Sequence, residues 1–247
     1  MSHVAVLGCG PAGMMAAHAA VRQGHDITII SKAAKSRLGG AQYLHAAIPG
    51  VTSNRPDGSV RFLKRGTPEV YAEKVYQNKK AETSWHRFED GWHPIWNLQA
   101  AYDRLWVEYH LEIREKEVDI PTLYQIQLDY DLVISSIPLV AICDDPAHEF
   151  TRQDVWIYPD ATCEDDTIMY SGIRREPWYR QSVIFGTSST EYPSEKEGAI
   201  KVQKPLDTTC DCWPEVTKVG RYGTWQKKVL VNDAFEGANV ALHQLQQ

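Results

Sequence analysis

The chain has 247 residues, 43% of them hydrophobic and 23% charged, an ordinary balance for a folded globular protein. It is long enough for one large core or two small ones. A formal net charge of −6 gives no general electrostatic footprint for nucleic acid or an anionic membrane, so a nucleotide-bearing ligand needs a local basic patch. No uninterrupted run of about eighteen apolar residues is present, so no membrane span is expected. No charged leader precedes the first apolar run, so no signal peptide is expected either. Cysteines stand at 9, 143, 163, 210 and 212. Cys210-x-Cys212 is too sparse for a tetrahedral zinc site and the others do not pair up in sequence. The expectation is therefore reduced thiols, a cytoplasmic location and no metal.

Taken in order, HVAVLG (3–8) reads as a buried parallel strand, PAGMMAAHAAVRQG (11–24) as a helix closed by Gly24, and HDITII (25–30) as a second buried strand. This is a β-α-β unit. Residues 31–66 read as loop, with Gly39-Gly40, Pro49-Gly50 and Pro56-Asp57-Gly58 as turn signals. A helix is expected over 68–80, then an aromatic, His-rich stretch without clean periodicity from Trp85 to Trp96. A second helix spans 97–110, with Leu98, Ala101, Leu105 and Trp106 on one face. LEIREKEVDI (111–120) alternates like a strand or strand pair, and YDLVISSIPLVAI (130–142) starts as a buried strand that turns at Pro138. Within 151–190, DVWIY, TIMYSGI and QSVIFGT read as strands, and the polar segment 191–218 as loops or an irregular edge. Asp233 and Glu236 form a D-x-x-E start signal for a closing helix. His86, His93 and His110 lack metal-ligand spacing with nearby carboxylates.

Gly8-Cys9-Gly10-Pro11-Ala12-Gly13 fits G-x-G-x-x-G between a strand and a small-residue helix, the context that turns a weak motif into a dinucleotide site. The first glycine permits the tight turn, the second admits a pyrophosphate to the backbone, and the third lets helix and strand approach. Unpaired N–H groups and the positive end of the helix then face the phosphates. An acidic ribose ligand is expected about twenty residues on; the chain has Ser31-Lys32 there. Ser31 offers one hydrogen bond, and Lys32 suits an additional phosphate.

Further segments resemble the FAD-dependent amine oxidase, protoporphyrinogen oxidase and UDP-galactopyranose mutase superfamily. SRLGGAQYLH (36–45) is similar to its Gly-Gly element, YDLVISSIPLVAI to its late buried strand, and VGRYGTW (219–225) with the last helix to its C-terminal flavin-closing motif. Together with the glycine turn they occur in the superfamily's order. TIMYSGIRREPWYRQSVIFG (167–186) is similar, more narrowly, to a mutase strand-turn-strand whose arginine binds substrate diphosphate.

The resemblance implies an α/β fold, a Rossmann-type FAD-binding domain (1–62, 97–143 and 215–247) with a small, reduced α+β substrate domain (63–96 and 144–214). It places Gly39, Gly40, Val118, Gly220, Arg221, Asp233 and Ala234 at FAD beside the glycine turn. Gln42, Tyr43 and His45 would pass the flavin face, His45 as a base near neutral pH. Trp178, Tyr179 and Arg180 would bind substrate. The implied activity is oxidation of a small or nucleotide-linked amine, with a modified base in DNA as one candidate. The alternatives are a mutase-like flavoenzyme on a nucleotide sugar and a catalytically silent dinucleotide-binding module.

Overall fold

The computed structural model describes residues 1–32, 34–36, 38–40, 42–76, 85 and 89–246. In chain order the elements are β1 (His3–Leu7), α1 (Pro11–Arg22), β2 (Asp26–Ser31), β3 (Gly58–Gly66), α2 (Pro68–Tyr76), β4 (Gly91–Ile95), α3 (Leu98–Tyr109), β5 (Ile113–Glu115) and α4 (Ile120–Asp129). There follow β6 (Leu132–Ser135), β7 (Phe150–Tyr158), β8 (Thr167–Gly172), β9 (Arg180–Ile184), β10 (Thr187–Tyr192), β11 (Ile200–Thr208), β12 (Thr217–Lys218), α5 (Gly220–Thr224) and α6 (Val231–Leu245). They form two compact units: Met1–Arg37, Ala100–Thr151 and Pro205–Gln247 in the first, Leu38–Gln99 and Arg152–Lys204 in the second. The expected first segment, 1–62, is thus divided after residue 37, and residues 38–62 fall in the second unit.

The first unit holds a parallel sheet in the order β12-β6-β1-β2-β5. Its central strands are continuous apolar runs because both faces are covered: Val4 to Leu7 are all buried, as are Ile27, Ile29 and Ile30. Helix α1 approaches closely because its inner residues are small, with Ala16, Ala17, Ala19 and Ala20 buried, and α6 packs on it, with Phe235 meeting His18 and Gln23 donating to Asn239 Oδ1 at 2.9 Å. The approach is closest at the turn. A Cβ at Gly13 would collide with the carbonyl oxygen of Gly8, and Gly8 itself turns at φ +95°.

The second sheet runs β11-β7-β10-β9-β8-β3-β4 and is antiparallel apart from the parallel β3–β8 pair among its registered strands. One face carries an aromatic core, with Phe62, Tyr71, Tyr170 and Tyr179 packed among Val60, Ile168 and Ile184. Phe62 and Tyr170 stack with ring centres 6.1 Å apart, and Tyr71 meets Tyr170 edge-on.

Five expectations are corrected. The loop-like stretch 31–66 contains β3, where Val60 and Phe62 point inward between exposed neighbours. The aromatic stretch contains β4. Of 111–120, only residues 113–115 form a strand, and Asp119 caps α4 by accepting from the Thr122 N–H at 2.9 Å. Segment 191–218 contains the nine-residue β11, an edge strand in which Pro205 and the lysines Lys201 and Lys204 are tolerated. The last helix starts at Val231, so Asp233 is its third residue and accepts from the Leu230 N–H at 2.7 Å. The expected helix over 68–80 is seen to Tyr76; residues 77–80 and His86 lie outside the described residues. Among the described residues no helix is long and apolar enough to cross a membrane.

These contacts separate two glycines of one motif. Gly13→Ala is expected to lower the thermal midpoint sharply and reduce soluble yield, because helix and strand must part. Gly10→Ala is expected to leave the midpoint of the ligand-free protein unchanged: Gly10 has φ −69°, and among the described residues its added Cβ would meet only Ser36 Oγ, at 3.5 Å. Thermal melts of both variants check this.

Candidate functional site

In the first unit the motif residues converge. Gly10 caps α1 without a side chain and Pro11 occupies its first turn, so the leading N–H groups are left for a ligand. Gly220 lies directly against this turn: a Cβ there would sit 2.5 Å from Ala12 Cβ and 4.0 Å from Ala234 Cβ. Gly8, Gly10, Pro11, Ala12, Gly13, Gly220 and Ala234 therefore form one patch, with the half-buried Arg221 next along α5 and Asp233 next along α6. A further clamp escaped sequence reasoning. The buried Tyr102 hydroxyl donates to the Cys9 carbonyl at 2.8 Å and accepts from the Ser36 N–H at 2.9 Å, tying residues 34–36 to the turn.

The end of β2 departs from the expected pattern. Ser31 is buried and accepts from the Cys9 thiol at 3.2 Å. Lys32 pairs with Glu117 at 2.5 Å, both exposed, and β5 sets Glu115 opposite Ser31. The neighbouring strand thus brings acids to the position where β2 carries none. Val118 is buried in the core with Leu7, Ile30 and Leu123.

In the second unit the Gly-Gly segment lies over a buried charge cluster. A Cβ at Gly40 would meet Glu191 Oε1 at 2.9 Å, and one at Gly39 would meet Ile157 at 3.8 Å. Glu191, 1% exposed, accepts from Tyr179 OH at 2.5 Å, Arg180 Nε at 3.0 Å and Lys204 Nζ at 2.7 Å. Two of the three residues singled out for substrate, Tyr179 and Arg180, are therefore held by an acid that sequence reasoning missed. Trp178 offers its carbonyl to Lys74 Nζ at 2.9 Å. Past Gly40, Gln42 is exposed and donates to the Gly39 carbonyl at 2.7 Å, while Tyr43 and His45, both half-buried, have ring centres 4.5 Å apart. Burial opposes ionisation of Glu191, but Arg180 and Lys204 beside it overcome that penalty and hold its carboxyl below the usual carboxylate range. Burial, and then the Glu191 charge, push the Tyr179 phenol well up.

A second cluster gathers cysteines that are scattered in sequence. Cys143, His148, Cys210 and Cys212 present ligand atoms all within 4.8 Å of one another in the first unit. The expectation of no metal rested on Cys210-x-Cys212 lacking partners; the fold supplies two.

No protein-family model matches the sequence, and no curated protein matches it. Solved structures do match. The tetrameric form of 2-methyl-3-hydroxypyridine-5-carboxylic acid oxygenase aligns over 99% of this chain and 81% of its own, at 16% identity and TM-score 0.53. Tetracycline destructase Tet(51) aligns over 100% and 82%, at 12% identity and TM-score 0.51. HpxO of Klebsiella pneumoniae, complexed with FAD and uric acid, aligns over 99% and 80%, at 12% identity and TM-score 0.50. The chain has the Rossmann-type α/β fold of FAD-binding proteins. These three names stand outside the amine oxidase, protoporphyrinogen oxidase and mutase group that the motifs resemble, and the likeness is one of fold.

The buried carboxylate makes stability depend on acid. A depressed folded-state value means that the contribution of Glu191 is complete above the ordinary carboxylate range and drains away as pH falls below about 4.5. Glu191→Gln leaves Arg180 and Lys204 without their buried anion, an expected cost of about 3–5 kcal/mol at neutral pH. Denaturant melts from pH 7 to pH 3 should show the wild type losing part of its advantage over the variant, as the Glu191 carboxyl takes up a proton in the unfolded chain while staying ionised in the folded one.

Proposed function

We propose that this chain is an FAD-dependent oxidoreductase acting on a small organic molecule. The carrying observation is Gly10: the fold itself demands glycine at Gly13 but leaves space at Gly10, so glycine there serves the approach of a ligand. The patch around it fits a dinucleotide pyrophosphate. The N–H groups of the first turn of α1 receive the phosphates, and Arg221 adds a guanidinium beside them. Glu117, carried by the segment after β5, takes the ribose role that Ser31 cannot fill. FAD, when bound, supplies the two-electron redox chemistry. The protein's own part is to hold the cofactor, orient the donor and manage a proton.

For the substrate side, the reading is oxidation of an amine, small or nucleotide-linked, a modified DNA base included. Gln42, Tyr43 and His45 orient it, with His45 accepting the proton and Tyr43, its ring tilted against the imidazole, limiting how that ring turns. The likeness of fold to an oxygenase favours a second reading, in which the substrate gains oxygen and the flavin is reduced by a nicotinamide donor. The mutase reading rested on Arg180 meeting a diphosphate, and Arg180 meets Glu191 instead.

The purified protein is expected to be yellow, with absorption near about 375 and 450 nm from the flavin. Anaerobic bleaching by amines, with peroxide formed on return to air, supports the amine oxidase. Bleaching by NADPH alone supports the oxygenase, and turnover only after dithionite would revive the mutase. A colourless protein that takes up no FAD defeats the proposal. Gly10→Ala is expected to weaken FAD binding by about ten- to a hundredfold, the equivalent of a lost charge-assisted hydrogen bond of about 1.5–3 kcal/mol.

A further inference from the structure

We propose that Cys143, His148, Cys210 and Cys212 bind a structural zinc ion within the first unit. The inference is independent of the flavin reading. The Cys143 and Cys212 sulfurs are 3.8 Å apart, and each lies 3.4 Å from His148 Nδ1. A tetrahedral zinc with bonds of about 2.3 Å to sulfur and about 2.0–2.1 Å to nitrogen requires ligand separations of about 3.8 Å and about 3.5 Å. The spacings match those edges, and Cys210 completes the fourth corner, its sulfur within 4.8 Å of the other three ligand atoms.

The surroundings are built for the same task. His148 turns Nδ1 toward the sulfurs and Nε2 toward carboxylates, 3.4 Å from Asp211 Oδ1 and 3.7 Å from Asp145 Oδ2. That is the arrangement in which an outer acid fixes the tautomer and orientation of a zinc-bound histidine. The two supporting segments are laced together. The Glu149 N–H donates to Thr209 Oγ1 at 2.9 Å, the Thr208 hydroxyl donates to the Glu149 carbonyl at 2.8 Å, and the Cys210 N–H donates to Thr208 Oγ1 at 3.0 Å. Trp213 packs behind them and donates from Nε1 to the Ile142 carbonyl at 2.6 Å.

On binding, three thiols lose protons to solvent and three sulfur–zinc bonds form beside one from neutral imidazole; nothing is oxidised or reduced. The site then carries one net negative charge, and the Lys218 ammonium lies within electrostatic range of Cys210 and Cys212. Four protein ligands leave no open position, which makes the ion structural. It would pin residues 143–148 to residues 210–212, closing the long excursion of chain between them, so its binding energy becomes folding energy.

The test uses full-length protein purified under reducing conditions without chelator. One zinc per chain by elemental mass spectrometry is expected. X-ray absorption should show about three sulfurs at about 2.3 Å and one nitrogen at about 2.0–2.1 Å. Cobalt exchange should give tetrahedral cobalt–thiolate bands in the red, beyond flavin absorption. Cys212→Ser and His148→Ala are expected to lose the metal, whereas Cys163→Ser, outside the cluster, retains it. Should those variants fail to fold, the absorption spectrum of the wild type decides alone. Protein that holds no zinc and takes none up on reconstitution, zinc bound without sulfur, or a Cys143–Cys212 disulfide under reducing conditions each overturns the proposal.

Discussion

The first unit hangs on one contact, the backbone of Gly13 resting against the carbonyl of Gly8 with no room for a methyl group. That closeness seats the first turn of α1 on the end of β1, so the N–H groups of the helix open at the mouth of the strand. The alanines of α1 are buried against the sheet side of the unit, and α6 packs on the same helix, Phe235 against His18. Gly220 exploits the same economy from the other side, touching Ala12 where any side chain would intrude. A helix lifted by one methyl group would lose the sheet, the α6 contact and the placement of its first-turn N–H groups together.

The second unit is organised by the opposite means, a charge placed where charge is costly. Glu191 sits on β10, Arg180 on β9 and Lys204 on β11, with Tyr179 completing the shell. Such a cluster is a weak source of net stability, since desolvation consumes much of the Coulombic gain. Its leverage is on register. Side chains alternate faces along a strand, so a slip of one residue in β9 or β11 would carry a cation away and leave the carboxylate buried alone. Gly40 must then be small, because the cluster occupies the space above it.

What was legible in the sequence follows from how local each signal is. The β1-α1-β2 unit announces itself within thirty residues, through two apolar runs and a glycine turn between them. Strand β11 hid because its lysines and Pro205 read as loop, although Lys201 answers Asp154 and Lys204 answers Glu191 on other strands. Helix α4 carried readable signals, Asp119 as cap and Pro121 in the first turn, masked by the charged alternation just before it. Glu191 and the cysteine cluster gave no local signal. Cys143 and Cys212 are brought together only by chain that folds between them, and a search for paired spacings cannot find ligands gathered that way.

The same distinction bears on how far a motif can be trusted for substrate. Arg180 matches the mutase pattern, yet its guanidinium is engaged by a buried acid. Moving it to a substrate phosphate would strip Glu191 of a partner at a cost of about 3–5 kcal/mol. A charge-assisted hydrogen bond to that phosphate returns about 1.5–3 kcal/mol. The arginine therefore stays where it is, and its work is to hold β9 and β10 in register beneath Gly40. In the proposed reading, recognition is assigned instead to Gln42, exposed at the turn, and to the half-buried Tyr43–His45 pair beyond it. Aromatic and imidazole groups of this kind discriminate by shape and proton state rather than by charge, which suits a neutral, oxidisable substrate better than a diphosphate.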